Sequence, residues 1–389
     1  MESIKHQQVN WVDGMNINKS HLLGLENEIT DHVRDARQNQ VDALSYGLLP
    51  SAPGMDDPVD IWMNIDSQNR VSVHLNRCNA VTLGGVRIEI TREIADQLKL
   101  SAHELRSVLQ LDESANDDLL VILTCDPFSR IPVGDADPGE TPPRKPYTLP
   151  NYSLDLVPAK NIGMGEVGLY HLVVGKIEVN SGKAVLQDGY IPPSSSARSH
   201  PFLMEAHERQ VRFLSELEFN CIQIIQKVYT KQIKNGLAQI ITVICRALSQ
   251  YTSHQSTVFE QVVPYRSPVF MVTHTAAMAR IIKNEITLRA GIGAEQLLTY
   301  LAEWCGLNQA EFEKDLDGMI GHDYQHYDIR RSIEAIDSFM GIVSSLFQKL
   351  AELDYIGKKS KTNIFVKEEA VNAEPKEEKA TWRGRFLAE

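Results

Sequence analysis

At Ile191-Pro192-Pro193-Ser194-Ser195-Ser196 the hydrophobic period of this chain changes. Upstream, apolar residues alternate with polar ones, the two-residue repeat of half-buried strands. Downstream they recur at three and four residues, the repeat of amphipathic helices. This implies a multi-domain α+β protein: an antiparallel, strand-rich domain over residues 1–193, a helical bundle over 194–356, and a short flexible tail over 357–389.

In the first part, residues 1–17 read as an extended arm. Asn18 or Ser20 can cap a helix beginning near His21, with Leu22, Leu25, Ile29, Val33 and Ala36 as its apolar stripe. Val59, Ile61, Met63 and Ile65 alternate, and Ser67-Gln68-Asn69 is a turn before Val71, Val73 and Leu75. Gly84-Gly85 precedes Val86, Ile88 and Ile90. A short helix is expected over 92–109 and a buried strand over 119–124. Residues 126–151 read as a Pro- and Gly-rich surface loop. Strands resume over 167–179, with a hairpin at Asn180-Ser181-Gly182 leading to Val185 and Leu186.

In the second part, Pro201 suits a helix start. Leu214, Leu217, Cys221, Ile224 and Val228 form one stripe, and Leu237, Ile240, Ile244, Ala247 and Tyr251 a second beyond Gly236. Further helices are expected over 270–290 and 294–305. The cleanest pattern is Ile329, Ile333, Ile336, Met340, Val343, Phe347 and Leu350, three heptads of alternating steps. It suits a seam between subunits or a core-facing stripe within one subunit. Residues 357–389 are charged and polar, disordered by composition, and end in a cluster of Trp382, Arg383, Arg385, Phe386 and Leu387 that could dock on a partner.

The net charge of -12 argues against nucleic-acid or anionic-membrane partners. No apolar run reaches the ~20 residues that span a bilayer, and the start of the chain lacks a signal-peptide core, so a cytoplasmic protein without direct membrane insertion is expected. Cys78, Cys125, Cys221, Cys245 and Cys305 are too scattered for a metal motif and suit reduced, buried thiols.

Chemical motifs are fragmentary. Gly163, Gly165 and Gly168 match G-x-G-x-x-G, but a strand pattern follows where a phosphate-binding helix is required. His103-Glu104 and His207-Glu208 open an H-E-x-x-H motif that Ser107 and Val211 fail to close. His322 and His326 could share a metal on one helix face, although a solvated helix start explains them as well. Neither catalysis nor a cofactor is indicated.

Two segments go further. Val9-Asn10-Trp11-Val12-Asp13-Gly14-Met15, followed by His21, resembles the opening signature of the TssK family of type VI secretion baseplate subunits; Trp11, Gly14 and His21 match in type and spacing. Leu169 to Leu172, with Asp188-Gly189-Tyr190-Ile191-Pro192-Pro193, resembles the end of that family's first domain. The resemblance implies a homotrimer with a sandwich shoulder that binds the TssF–TssG–TssE wedge and a helical neck that trimerises. It also implies contact with a membrane-anchor complex at the cytoplasmic face of the inner membrane. The family's C-terminal head has no counterpart beyond Leu350, so the anchor is of unknown composition and the tail is the candidate tether. Trp11, Gly14 and His21 become candidate partner-binding residues of the arm, and the Ile329–Leu350 stripe a trimer or bundle seam. A phage-tail-like receptor-binding or adhesin module shares the same plan, and a metal-dependent helical enzyme is the third class.

Overall fold

The computed structural model describes residues 3–51, 57–111, 116–161 and 168–357. The α+β plan holds, with helices and antiparallel strands segregated along the chain. After α1 (Lys19–Gln38) come β1 (Gly47–Leu48), β2 (Val59–Ile65), β3 (Arg70–Val81), β4 (Arg87–Ile90), α2 (Arg92–Leu100) and β5 (Arg106–Gln110). Then follow β6 (Leu119–Val133), β7 (Tyr147–Pro158), β8 (His171–Asn180) and β9 (Lys183–Leu186).

Strand β3 organises the first sheet. Val71 faces Ile65 of β2 on one edge and Leu109 of β5 on the other. Ala80 likewise lies between Leu48 of β1 and Ile88 of β4. The second sheet runs β7-β6-β8-β9, antiparallel throughout. The inward residues of both sheets, among them Val71, Val73, Val121, Leu123, Leu172 and Ile177, share one buried core. That common core makes the pair a sandwich.

Two expectations for this half are corrected. The helix over 92–109 stops at Leu100, because Ala102 takes a left-handed φ of 58° that turns the chain back into β5. The loop expected over 126–151 is largely strand. Strand β6 runs on to Val133 and β7 pairs with it from Tyr147. The prolines that suggested a loop sit where a ladder tolerates them. Pro127 lies in the register shift between Asp126 and Arg130, and Pro150 is on β7, at the sheet edge.

The helical half comprises α3 (Pro201–Thr230), α4 (Gly236–Gln261), α5 (Val269–Thr287), α6 (Ala294–Cys305), α7 (Gln309–Ile320) and α8 (Ile329–Glu352). Helix α3 buries Leu214, Leu217, Cys221, Ile224 and Val228, the expected stripe. Helix α4 is rotated from its expected phase. Ala238, Ile241, Cys245 and Leu248 are buried, Ile244 with them, while Leu237, Ile240, Ala247 and Tyr251 are half-buried at the flank. The cause is that α4 packs between α3 and α5, so its buried arc is wider than one stripe. Helix α7, unanticipated from the sequence, closes the bundle with Phe312, Leu316 and Met319. All five cysteines are free and buried.

The Pro-Pro-Ser exit is stitched to the first sheet. Leu48 N–H donates to the Pro193 carbonyl (2.7 Å), and Ser195 N–H returns to the Leu48 carbonyl (2.9 Å). Gly47, at φ 114°, is required here, since a Cβ would lie 2.0 Å from the Pro193 oxygen.

Candidate docking surfaces

The N-terminal arm lies antiparallel along α1. The backbone N–H groups of Lys5 and His6 donate to Asp31 Oδ2 (2.6 and 3.0 Å), Val9 reaches Gly24, and the Trp11 ring meets the His21 ring edge-on at 6.3 Å. Gly14 turns the arm at φ 77°. Asn18 caps α1, and His21 at the third helical position accepts from the Asn18 N–H through Nδ1 (3.3 Å), completing a capping box. Trp11, Gly14 and His21 thus belong to one local device that sets where α1 begins. Trp11 nevertheless remains 46% exposed.

The apolar stripe of α1 is not its buried face. Its buried residues are Glu28, Asp31, Arg34 and Gln38, all polar. Arg34 Nε donates to Asp31 Oδ1 (2.8 Å), and Nη1 donates to Gln38 Oε1 (2.8 Å) and to the Gly84 carbonyl (3.1 Å). Burial pushes the Asp31 carboxyl up, but the His6 N–H, Arg34 and the Lys5 N–H hold it below the usual carboxylate range. A buried guanidinium whose Nε and Nη1 donors are spent on Asp31, Gln38 and the Gly84 carbonyl fixes the helix rotation. The apolar stripe consequently faces outward: Leu22 and Ile29 are each 53% exposed and Val33 43%, Ala36 is exposed, and Leu25 is half-buried.

The β6 bulge holds this unit against the sandwich. Arg130 pairs with Glu26 and donates to Asn27 Oδ1 (2.8 Å), and the Phe128 ring lies 4.4 Å from that of His6. Asp126 Oδ1 shapes the bulge by accepting from Phe128 N–H (2.9 Å).

The Ile329–Leu350 stripe lies elsewhere. Ile329, Ile333, Ile336, Met340, Val343, Phe347 and Leu350 are all buried in the chain's own helical core. The apolar side chains that α3 and α4 leave exposed are others: Phe202, Phe219, Ile222 and Tyr229 on α3 and Val243 and Val258 on α4, with Arg246 donating to the Tyr229 hydroxyl (2.5 Å) across the two helices. Sequence periodicity missed them because they fall outside each helix's main stripe.

His322 and His326 are not on a helix, and His326 is not solvated. They occupy the turn before α8, where His322 Nε2 meets Ser332 Oγ (2.9 Å). The two ring nitrogens of His326 are engaged by the Tyr46 carbonyl (2.7 Å) and the Tyr324 hydroxyl (2.8 Å). Burial lowers the His326 pKa to about 4. The ring is a clasp between the halves, helped by Tyr190 to the Tyr327 carbonyl and Arg330 to the Gly189 carbonyl (2.9 Å). His207 is likewise spent on the Phe259 carbonyl (2.8 Å), and His103 on that of Tyr152 (2.8 Å). Among the described residues no three His, Cys, Asp or Glu side chains gather as a metal site, and no helix is long and apolar enough to cross a membrane. Gly163, Gly165 and the tail cluster Trp382, Arg383, Arg385, Phe386 and Leu387 lie outside the described residues.

No family model and no curated protein matches this chain. Among solved structures it is similar to a crystal structure of TssK, at 14% identity and a TM-score of 0.45, over 89% of this chain and 70% of that one. It is similar to a chain of the TssK-TssF-TssG baseplate subcomplex of a type VI secretion system, at 14% identity and a TM-score of 0.41, over 87% and 99%. A chain of a type VI secretion baseplate complex gives 12% identity and a TM-score of 0.49, over 88% and 99%. The chain is therefore similar along most of its length, at low identity, to solved TssK and type VI baseplate structures.

Proposed function

We propose that this chain is a structural baseplate subunit of a type VI secretion system, a trimeric adaptor between the wedge proteins TssF, TssG and TssE and a membrane anchor. In this reading it divides into a shoulder over 1–193, a neck over 194–356 and a tail over 357–389, and works at the cytoplasmic face of the inner membrane without a cofactor. The observation that carries the reading is the outward apolar face of the arm and α1. It is built from the segment in which Trp11, Gly14 and His21 resemble the family, and it is held rigidly by Arg34 and Asp31. An apolar helix face turned to solvent over a polar buried face fits a surface that docks on protein. The wedge is assigned to it.

The trimer is assigned to the exposed apolar residues of α3 and α4, since the α8 stripe is already consumed inside the chain. Receptor binding as an adhesin would draw on two exposed aromatics of the sandwich, Tyr147 of β7 and Trp62 of β2, and His74 already stacks on the Trp62 ring at 4.1 Å. The test is binding of purified wedge proteins to the intact chain and to Leu22→Glu/Ile29→Glu. Loss of binding by the folded variant supports the assignment, and undiminished binding removes it.

A further inference from the structure

A groove of about 430 Å³ runs between the α6–α7 turn, α7 and α8. One wall is small and exposed: Ser338, Gly341 and Ser345, with nothing within 4 Å of where a Gly341 Cβ would stand. The floor is apolar, formed by half-buried Leu307 and Ile342. The opposite wall carries Glu311 and Asp315, whose side chains hold no ion pair among the described residues. Asp337, also at the rim, is already bound by Arg209 (2.8 Å). Lys349 closes one end by donating to the Cys305 carbonyl (2.8 Å). An apolar floor beside two uncompensated carboxylates calls for a cationic, aromatic peptide.

The chain carries one. In a protein of net charge -12, residues 380–388 contain Arg383 and Arg385 and no acid, flanking Trp382, Phe386 and Leu387. We infer that Trp382–Leu387 occupies this groove on its own chain, the arginines on Glu311 and Asp315 and the apolar side chains on Leu307 and Ile342. Reach is sufficient by any path. The groove ends at Lys349, eight residues before Gly357, or at most about 29 Å of extended chain. Its length from Asp337 to Lys349 adds about 18 Å of helix. The 24 residues from 358 to 381 can span roughly 80 Å. A tethered peptide acts at an effective concentration of about a millimolar, so weak docking suffices to fill the groove. The tail is then self-occupied, and any partner that needs its aromatic end must displace it. This inference stands independently of the baseplate reading.

Photo-cross-linking in the full chain tests it. With a benzophenone amino acid in place of Trp382, irradiation should leave the protein at its 43.7 kDa monomer mass on a denaturing gel. Cross-linked fragments should map to residues 305–316 and 337–349. Gly341→Trp fills the groove, and Glu311→Lys/Asp315→Lys reverses its wall. Both change exposed or half-exposed positions, and each should lower the yield at least tenfold in a protein that stays folded by circular dichroism, the Lys pair melting somewhat lower because Glu311 lies in the first turn of α7. Cross-links that map elsewhere, that join two chains, or that survive both substitutions overturn the inference, as does their absence from the unsubstituted chain.

Discussion

His326 Nε2 lies 2.7 Å from the Tyr46 carbonyl oxygen, and the two rings are 4.9 Å apart. This contact joins residues 280 positions apart and fastens the turn before α8 to the strand half. His326→Leu should strand the buried Tyr46 carbonyl and leave the Tyr324 hydroxyl with Ser267 as its remaining partner. It should cost about 1–3 kcal/mol per unsatisfied group, read as a lowered denaturation midpoint.

Acid should loosen the same joint. Burial lowers both His326 and His200 to about 4, whereas an unfolded histidine takes up its proton near 6.5. Between these values the unfolded chain binds more protons than the folded one, so stability falls as pH drops from about 6.5 to 4. Each histidine contributes a slope of about 1.4 kcal/mol per pH unit. Denaturant titrations across that window should show the decline, and His326→Gln should remove only its own share, about 1.4 kcal/mol per pH unit, the rest staying with His200 and with His74, His274 and His322, which burial also lowers. An unchanged slope in that variant would locate the proton uptake elsewhere.

Arg34 should be the keystone of the arm. Arg34→Met leaves Asp31 buried without its cation, at a cost of about 3–5 kcal/mol. If the fold survives, limited proteolysis should cut within residues 3–17 far faster than in the parent chain. Equal protection would mean that Asp31, with the Lys5 and His6 N–H groups, holds the arm alone.

Helix α8 should behave as core. Ile336→Ala should cost about 2–5 kcal/mol, and Ile336→Asp should unfold the helical half instead of yielding folded monomers. Circular dichroism distinguishes the outcomes: a folded, dissociated Ile336→Asp protein would return α8 to a seam between subunits.

The sequence made the two-part plan legible because each half keeps one hydrophobic period for long stretches, broken sharply at Pro192-Pro193. Turn residues and caps were readable too, since Asn18 and the hairpin at Ser181-Gly182 act locally. What was misread depended on distant partners. The stripe Leu22–Ala36 is regular, but Asp31, Arg34 and Gln38 share the same helical spacing. Only the Gly84 carbonyl and the arm decide which face turns inward. Strand β7 was hidden by prolines that its edge position accommodates. The α8 heptads were visible, but whether they meet another chain or their own could not be read from spacing.

The most direct measurement is native mass spectrometry of the tagged chain purified from its own cells. The proposal predicts a core of three copies, three times 43.7 kDa, carrying TssF- and TssG-like wedge polypeptides. It also predicts that Phe219→Lys/Ile222→Lys reduces this core to folded single chains. A parent protein recovered only as a monomer, with no wedge polypeptide bound, would contradict it.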